Sequence, residues 1–214
     1  MSKPKYIAIE GVIGAGKTSL ARMLSEKISS KLVLEEFEKN PFLKDFYDDR
    51  KRYAFQTQMF FLINRYKQQQ FLGQEELFSE FLVSDYIFDK DRIFAYLNLN
   101  GDELKLYESI FPLLQRDIRK PDLVVFLQSS VDRLMYNIKK RNRSIEVNIS
   151  RDYITQLSEV YNNFFFKYNH TPLLIVNTTE IDFVNNKKDF EELSRQLFRE
   201  DRGFLEYFNP GKRG

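Results

Sequence analysis

Three groups of residues in this chain could do chemistry together. The stretch Gly11-Val12-Ile13-Gly14-Ala15-Gly16-Lys17-Thr18 satisfies G-x-x-x-x-G-K-[ST] in full. Its glycines let backbone N–H groups turn inward around a phosphate, Lys17 supplies a point charge, and the Thr18 hydroxyl can bind Mg²⁺. The motif specifies a triphosphate and is silent about what receives a phosphoryl group. A magnesium carboxylate should sit at the carboxyl end of a neighbouring strand, where open α/β sheets bind their ligands. "FLVSD" ends there in Asp85, which as a bare sequence also suits a helix cap. Asp122 opens "DLVVFL" and so stands at the wrong end.

The acceptor side is written in the second group. Glu35 closes "LVLEE", at the carboxyl edge of a second strand. A carboxylate there can take the proton of an acceptor hydroxyl and would repel an acceptor already phosphorylated. A monophosphate site would call for arginines instead. Gln58, an amide inside the apolar run "FQTQMFFLINRYKQ", can read the edge of a planar ring. The third group is Arg141 and Arg143 in "KKRNRSIE", two guanidiniums that could close over a triphosphate and neutralise charge during transfer. Taken singly, Glu35 also fits a solvated strand end, Gln58 a rim glutamine that caps backbone, and the arginines a solvated helix end.

These residues need a frame. Short apolar runs at Lys5–Glu10, Lys31–Glu35, Phe81–Asp85, Asp122–Leu127 and Leu173–Val176 read as strands buried on both faces. Helix-length segments lie between them, at Thr18–Ile28, Arg52–Phe71, Gly101–Arg119, Val131–Lys140 and Arg151–Tyr168. The alternation predicts an α/β fold with a five-stranded parallel sheet flanked by helices in three layers. We expect one domain over residues 1–214, a mobile lid at about 139–147 and a frayed tail at about 203–214. The net charge of +2 gives no reason to expect a nucleic-acid polymer as partner. The chain has no cysteine, which excludes thiolate chemistry and is compatible with a cytoplasmic protein. Neither a leader-like segment nor a membrane span is expected. Most of the 21 Phe and 12 Tyr should be core.

With the P-loop, Glu35, Gln58, Asp85 and the lid in this order, the chain resembles the deoxyribonucleoside kinases, and within them the bacterial deoxyadenosine and deoxyguanosine kinases. The likeness runs from Tyr6 to about Arg199. It is carried by "IEGVIGAGKTSLA", "EEFEKNPFLKDFY", "FQTQMFFLINRYKQ", "SDYIFDKDRIFA" and "KKRNRSIE". It implies a P-loop kinase fold of the nucleotide-monophosphate-kinase type, usually dimeric. It also implies transfer of the ATP γ-phosphoryl to a deoxynucleoside 5′-hydroxyl in nucleotide salvage. By position, Glu35 would be the base, and Thr18 and Asp85 would hold Mg²⁺. Tyr47 and Glu146 would bind the sugar 3′-hydroxyl, Gln58 the base edge, and Phe94 would pack on the base. Tyr86 and Asp91 would border the acceptor. Lys17, Arg141 and Arg143 would act on the phosphates, with Ser19, Asp182 and Phe183 on the donor nucleotide.

The chain departs from that pattern at three places. An acidic-Arg-Ser triplet is common in the family, and here it reads Asp85-Tyr86-Ile87, so the carboxylate network must be built differently. Asn137 stands where a lid-proximal arginine is frequent, and Asn142 replaces a lid glycine, a position Asn tolerates at positive φ. An ionised Asp91 facing the base would accept from an exocyclic amine. With Gln58 beside it, that favours deoxyadenosine first and deoxyguanosine second. Two rivals remain. One is a nucleoside monophosphate kinase, against which Glu35 speaks. The other is a GTP-binding switch, since Asn186-Lys187-Lys188-Asp189 matches N-K-x-D. That stretch lies well beyond the fifth strand and is read as a helix start, with Asn or Asp as cap. His170, before "TPLL", is read as structural.

Overall fold

Each of the six residues of β1 (Tyr6–Gly11) is buried, as a strand with neighbours on both sides and cover on both faces requires. In the computed structural model, which describes residues 4–74 and 80–211, β1 lies near the middle of a six-stranded sheet. The other strands are β2 (Lys31–Val33), β3 (Leu82–Ser84), β4 (Leu123–Gln128), β5 (Leu173–Asn177) and β6 (Leu205–Phe208), in the order β2-β3-β1-β4-β5-β6. All five pairings are parallel. The helices are α1 (Lys17–Ile28), α2 (Leu43–Asp48), α3 (Arg50–Gln74), α4 (Lys90–Asn98), α5 (Gly101–Gln115), α6 (Val131–Arg141), α7 (Arg151–Phe166) and α8 (Lys187–Leu197).

The α/β sheet flanked by helices is as expected, with one strand more. Leu205–Phe208, in the segment read as a frayed tail, pairs along β5 from Leu173↔Leu205 to Val176↔Phe208. Its alternation is short and half exposed, which is why it does not stand out in sequence. Residues 212–214 of that tail lie outside the described residues. Strand β2 stops at Val33, two residues early, because the Glu35 N–H leaves the ladder and donates to Asp85 Oδ1 at 2.8 Å. Asp122 stays outside β4, where Oδ2 accepts the N–H groups of Lys5 and Tyr6, 2.8 Å each. Helix α5 ends at Gln115 rather than Arg119, one turn after Pro112.

Local signals start the later helices. Ser130 accepts from the Arg133 N–H at α6, and Ser150 from the Tyr153 N–H at α7. Asn186 accepts from the Lys188 N–H at α8, so the N-K-x-D stretch is a helix cap, as read. The aromatics are largely core. Phe126 stacks on Phe165 at 4.3 Å, and Tyr161 joins them from α7. Each such ring contributes about 2 kcal/mol by leaving water. His170 packs edge-on against Tyr168. Among the described residues no helix is long and apolar enough to cross a membrane.

The register aligns the carboxyl ends of β1, β3 and β2 along one edge. Gly11 leads into the glycine-rich loop, Asp85 follows β3 directly, and Glu35 follows β2 by two residues. Three chemical groups far apart in sequence are thereby brought to one mouth.

Candidate active site

The loop after β1 is tight enough to need its glycines. Gly14 has φ +90°, and a Cβ there would lie 2.7 Å from the Leu134 carbonyl oxygen. Gly16 has φ +91°, and its Cβ would meet the Phe183 ring at 2.8 Å. Helix α1 starts at Lys17, so its free N–H groups face the loop as an anion site. The Lys17 ammonium donates to the Val12 carbonyl at 3.1 Å. Burial, and after it the charge of Lys90, pulls Lys17 down to about 8.

Thr18 Oγ1 donates to Asp85 Oδ2 at 2.5 Å, while the other Asp85 oxygen takes the Glu35 N–H. A hydroxyl and a carboxylate in contact beside a phosphate loop are the hard oxygen donors that suit Mg²⁺. Their direct contact joins Thr18 and Asp85 as the sequence reading paired them.

Glu35, Tyr47, Gln58, Phe94, Glu146, Arg141 and Arg143 share one cavity with Ile13, Lys17, Thr18 and Asp85. Within it, the Glu35 carboxylate is held from two sides. Arg65 Nε donates to Oε1 at 2.9 Å, with Arg65 Nη2 on the same oxygen. Lys90 Nζ donates to Oε2 at 2.5 Å. Burial alone would raise this carboxyl, but Lys90 and Arg65 override it and hold it well below the usual carboxylate range. Neither cation was foreseen. Arg65 lies seven residues after Gln58, two turns along the same face of α3, which is the one signal that could have found it. Lys90 opens α4 next to an expected acceptor residue and gave no signal.

Two expected substrate contacts are elsewhere. Asp91 is fully buried and is not on the cavity wall. Its carboxylate is taken by Arg65 Nη1 and by Gln58 Nε2, and Nε2 also donates to the Asp91 carbonyl at 2.9 Å. Burial pushes the Asp91 carboxyl up while Arg65 pulls it down. A buried carboxylate needs such partners, and here they leave it no room for a base. Tyr86 is likewise fully buried and donates through its hydroxyl to Gln68 Oε1 at 2.7 Å. Gln58 does line the cavity. Both its amide partners are acceptors, so its Nε2 is committed and its Oε1 remains for a ligand.

The segment read as a lid continues α6 to Arg141, turns at Asn142 with φ 47°, and makes a short 3-10 turn at Ser144–Glu146. Positive φ at Asn142 is the backbone expected there. The arginines face the acceptor side. Arg141 holds Glu146 by two bonds of 2.7 and 2.6 Å, and Arg143 Nη1 lies 3.6 Å from the same carboxylate while stacking on Phe37. Asn137 donates to the Gly14 carbonyl at 2.8 Å and so ties α6 to the glycine loop. A second cavity brings Gly14, Gly16 and Ser19 together with Asp182 and Phe183, the residues that the sequence reading assigned to the donor nucleotide. Glu10, just before the glycine-rich loop, is fully buried. It accepts from the N–H groups of Gly11 and Ile87 at 3.0 Å each and from the Tyr161 hydroxyl at 3.3 Å.

The comparisons with known proteins agree with one another. Residues 7–200 match the family model "Deoxynucleoside kinase". A deoxyguanosine kinase of Bacillus subtilis (strain 168) is 38% identical over 207 residues, spanning 92% of this chain and 98% of the relative. A deoxyadenosine kinase of Lactobacillus acidophilus is 31% identical over 208 residues, spanning 90% and 94%. Among solved structures, deoxyadenosine kinase from M. mycoides with bound dATP superposes with a TM-score of 0.78 at 26% identity, covering 90% of this chain and 98% of that one.

Proposed function

The chain belongs to the deoxynucleoside kinase family, and on that premise we propose that its acceptor is a purine deoxyribonucleoside and that Glu35 is the base. It is an ATP-dependent kinase that transfers the γ-phosphoryl group to a deoxynucleoside 5′-hydroxyl, a salvage reaction. The observation that carries the proposed roles is the placing of Glu35 in the same cavity as Lys17, Thr18 and Asp85.

In this reading the loop amides and Lys17 hold the triphosphate. Thr18 and Asp85 would hold Mg²⁺, which when bound neutralises charge on the β- and γ-phosphates. The 5′-hydroxyl donates to Glu35 and attacks in line. A carboxylate held this far below its usual range is a weak base. Its main work is therefore to orient the hydroxyl, which suits a loose transition state in which proton transfer comes late. Arg141 and Arg143 leave Glu146 for the phosphates, and Glu146 then joins Tyr47 on the sugar 3′-hydroxyl. Gln58 Oε1 accepts from the base, Phe94 packs on it, and Asp182, Phe183 and Ser19 border the donor.

The placing of adenine before guanine rested on Asp91 as a free acceptor. With Asp91 enclosed, the reading keeps both purines, and relatives named for each support it. A monophosphate acceptor fits less well. Arg65, Lys90 and Arg141 each already hold a carboxylate in this cavity. A homodimer in the cytoplasm completes the proposal. Apolar Ile63 on α3 and Phe166 on α7 are exposed, and a cysteine-free chain suits a reducing compartment.

Initial rates with ATP·Mg²⁺ and each of the four deoxynucleosides, beside dAMP and dGMP, test the proposal. Deoxyadenosine and deoxyguanosine should be phosphorylated at least tenfold faster than thymidine and than either monophosphate. A thymidine preference would refute the base assignment, and a monophosphate preference the acceptor class.

A further inference from the structure

A lysine sealed from water needs a reason, since Lys is almost never buried without a partner. Lys90 is 5% exposed, and its ammonium lies 2.5 Å from Glu35 Oε2. The two oxygens of Glu35 have separate owners. Arg65 takes Oε1 through Nε and Nη2, and Lys90 takes Oε2. The incoming hydroxyl must hydrogen-bond one of them; Oε1 already accepts two N–H groups, whereas Oε2, with one partner, keeps a lone pair open for it. Arg65 is fastened to two carboxylates and lies over the Phe61 ring at 4.7 Å. Lys90 makes one hydrogen bond, on a flexible four-carbon stem, and its ammonium lies 5.9 Å from the centre of the Phe94 ring. The residue that replaces the family's triplet arginine, Tyr86, points away to Gln68 and supplies no charge.

We propose that Lys90 is the positioning residue of this site, holding Glu35 Oε2 so that its open lone pair meets the acceptor hydroxyl. This rests on Glu35 being the base. In the step that follows, the 5′-oxygen forms its bond to the γ-phosphorus, the bond from that phosphorus to the bridging oxygen breaks, ADP leaves, and the hydroxyl proton passes to Glu35. Lys90 remains beside the oxygens that carry the charge.

The groups that set the charge of Glu35 come from several elements. Arg65 of α3, Lys90 of α4 and Lys17 of α1 are the cations, and Asp85 after β3 is the neighbouring anion. Tyr47 and Tyr161 lie near it with hydroxyls that burial keeps protonated, and Glu10 lies near both lysines. Removing Lys90 leaves Oε2 without its fixed partner while Arg65 still holds Oε1, so the carboxylate can turn away from the acceptor hydroxyl.

The test uses the full chain with Lys90→Met, Lys90→Gln and Lys90→Arg, and reads kcat and KM separately for deoxyadenosine and deoxyguanosine. Near-ultraviolet circular dichroism checks folding, and Lys90→Gln, which keeps a donor, serves if Lys90→Met fails to fold. Expected are a ten- to hundredfold loss of kcat in the neutral variants with KM within a few-fold of wild type, and recovery of kcat to within a few-fold in Lys90→Arg. Neutral variants that keep kcat within a few-fold of wild type, or a kcat that Lys90→Arg leaves as low as Lys90→Met does, overturn the proposal. Glu35→Gln run alongside separates the two readings. If it keeps turnover, the base assignment fails. If it loses turnover while the Lys90 variants keep theirs, only Lys90 fails.

Discussion

At the scale of single residues the site is a balance of paired charges. Glu35 and Asp91 share Arg65, Glu35 shares Lys90, and Asp85 is held by Thr18 and a backbone N–H. Truncating one member leaves another charge buried and alone, which is costlier than losing the bond itself. Asp85→Asn should cut turnover by about a hundredfold and raise the Mg²⁺ concentration needed for half-maximal rate, since a neutral amide is a poorer hard ligand. An Mg²⁺ titration of the variant checks this. Lys17 gives a pH dependence. In the free chain it is charged below about 8 and neutral above. On the proposed role of that charge in holding ATP, affinity falls as pH rises through that value. Calorimetry at pH 7 and pH 9 should show about a tenfold weaker ATP complex at the higher pH. Lys17, Thr18, Glu35 and Asp85 were legible because a loop motif and strand ends place them. Arg65 and Lys90 were not, because only the packing of α3 against α4 brings both onto one carboxylate.

At the scale of elements, the lid explains how donor and acceptor sites can communicate. Arg141 and Glu146, assigned to opposite ligands, hold each other across the turn at Asn142. Freeing one frees the other. Asn142→Gly should leave kcat within a few-fold. Asn142→Val, which puts a β-branched side chain at φ 47°, strains the turn by about 1–2 kcal/mol and should lower kcat more than the deoxynucleoside KM. Steady-state kinetics of the pair decides it. The lid arginines and the left-handed turn were visible in "KRNRS", since their types fit only certain backbones and ligands. Their pairing with Glu146 was not, because it depends on a side-chain choice that sequence spacing leaves open.

For the whole molecule, a parallel sheet gathers residues from three loops to one edge, and every strand but the last announces itself by an unbroken apolar run. Strand β6 is the exception, because its exposed Leu205 and Tyr207 alternate with half-buried residues on an edge. It pairs only with β5, four places from β2 and the loop that carries Glu35. Ending the chain after Arg202 should therefore lower Tm by roughly 5–10 °C while leaving kcat/KM within a few-fold, as thermal unfolding and assay would show. The account as a whole stands on Glu35 serving a neutral alcohol. Its most direct measurement is single-turnover transfer from ATP·Mg²⁺ by Glu35→Gln, with deoxynucleoside binding followed by calorimetry in the same samples. The predicted result is binding within a few-fold of wild type and a transfer rate down by about 10² to 10⁴. Transfer within a few-fold of wild type would contradict it.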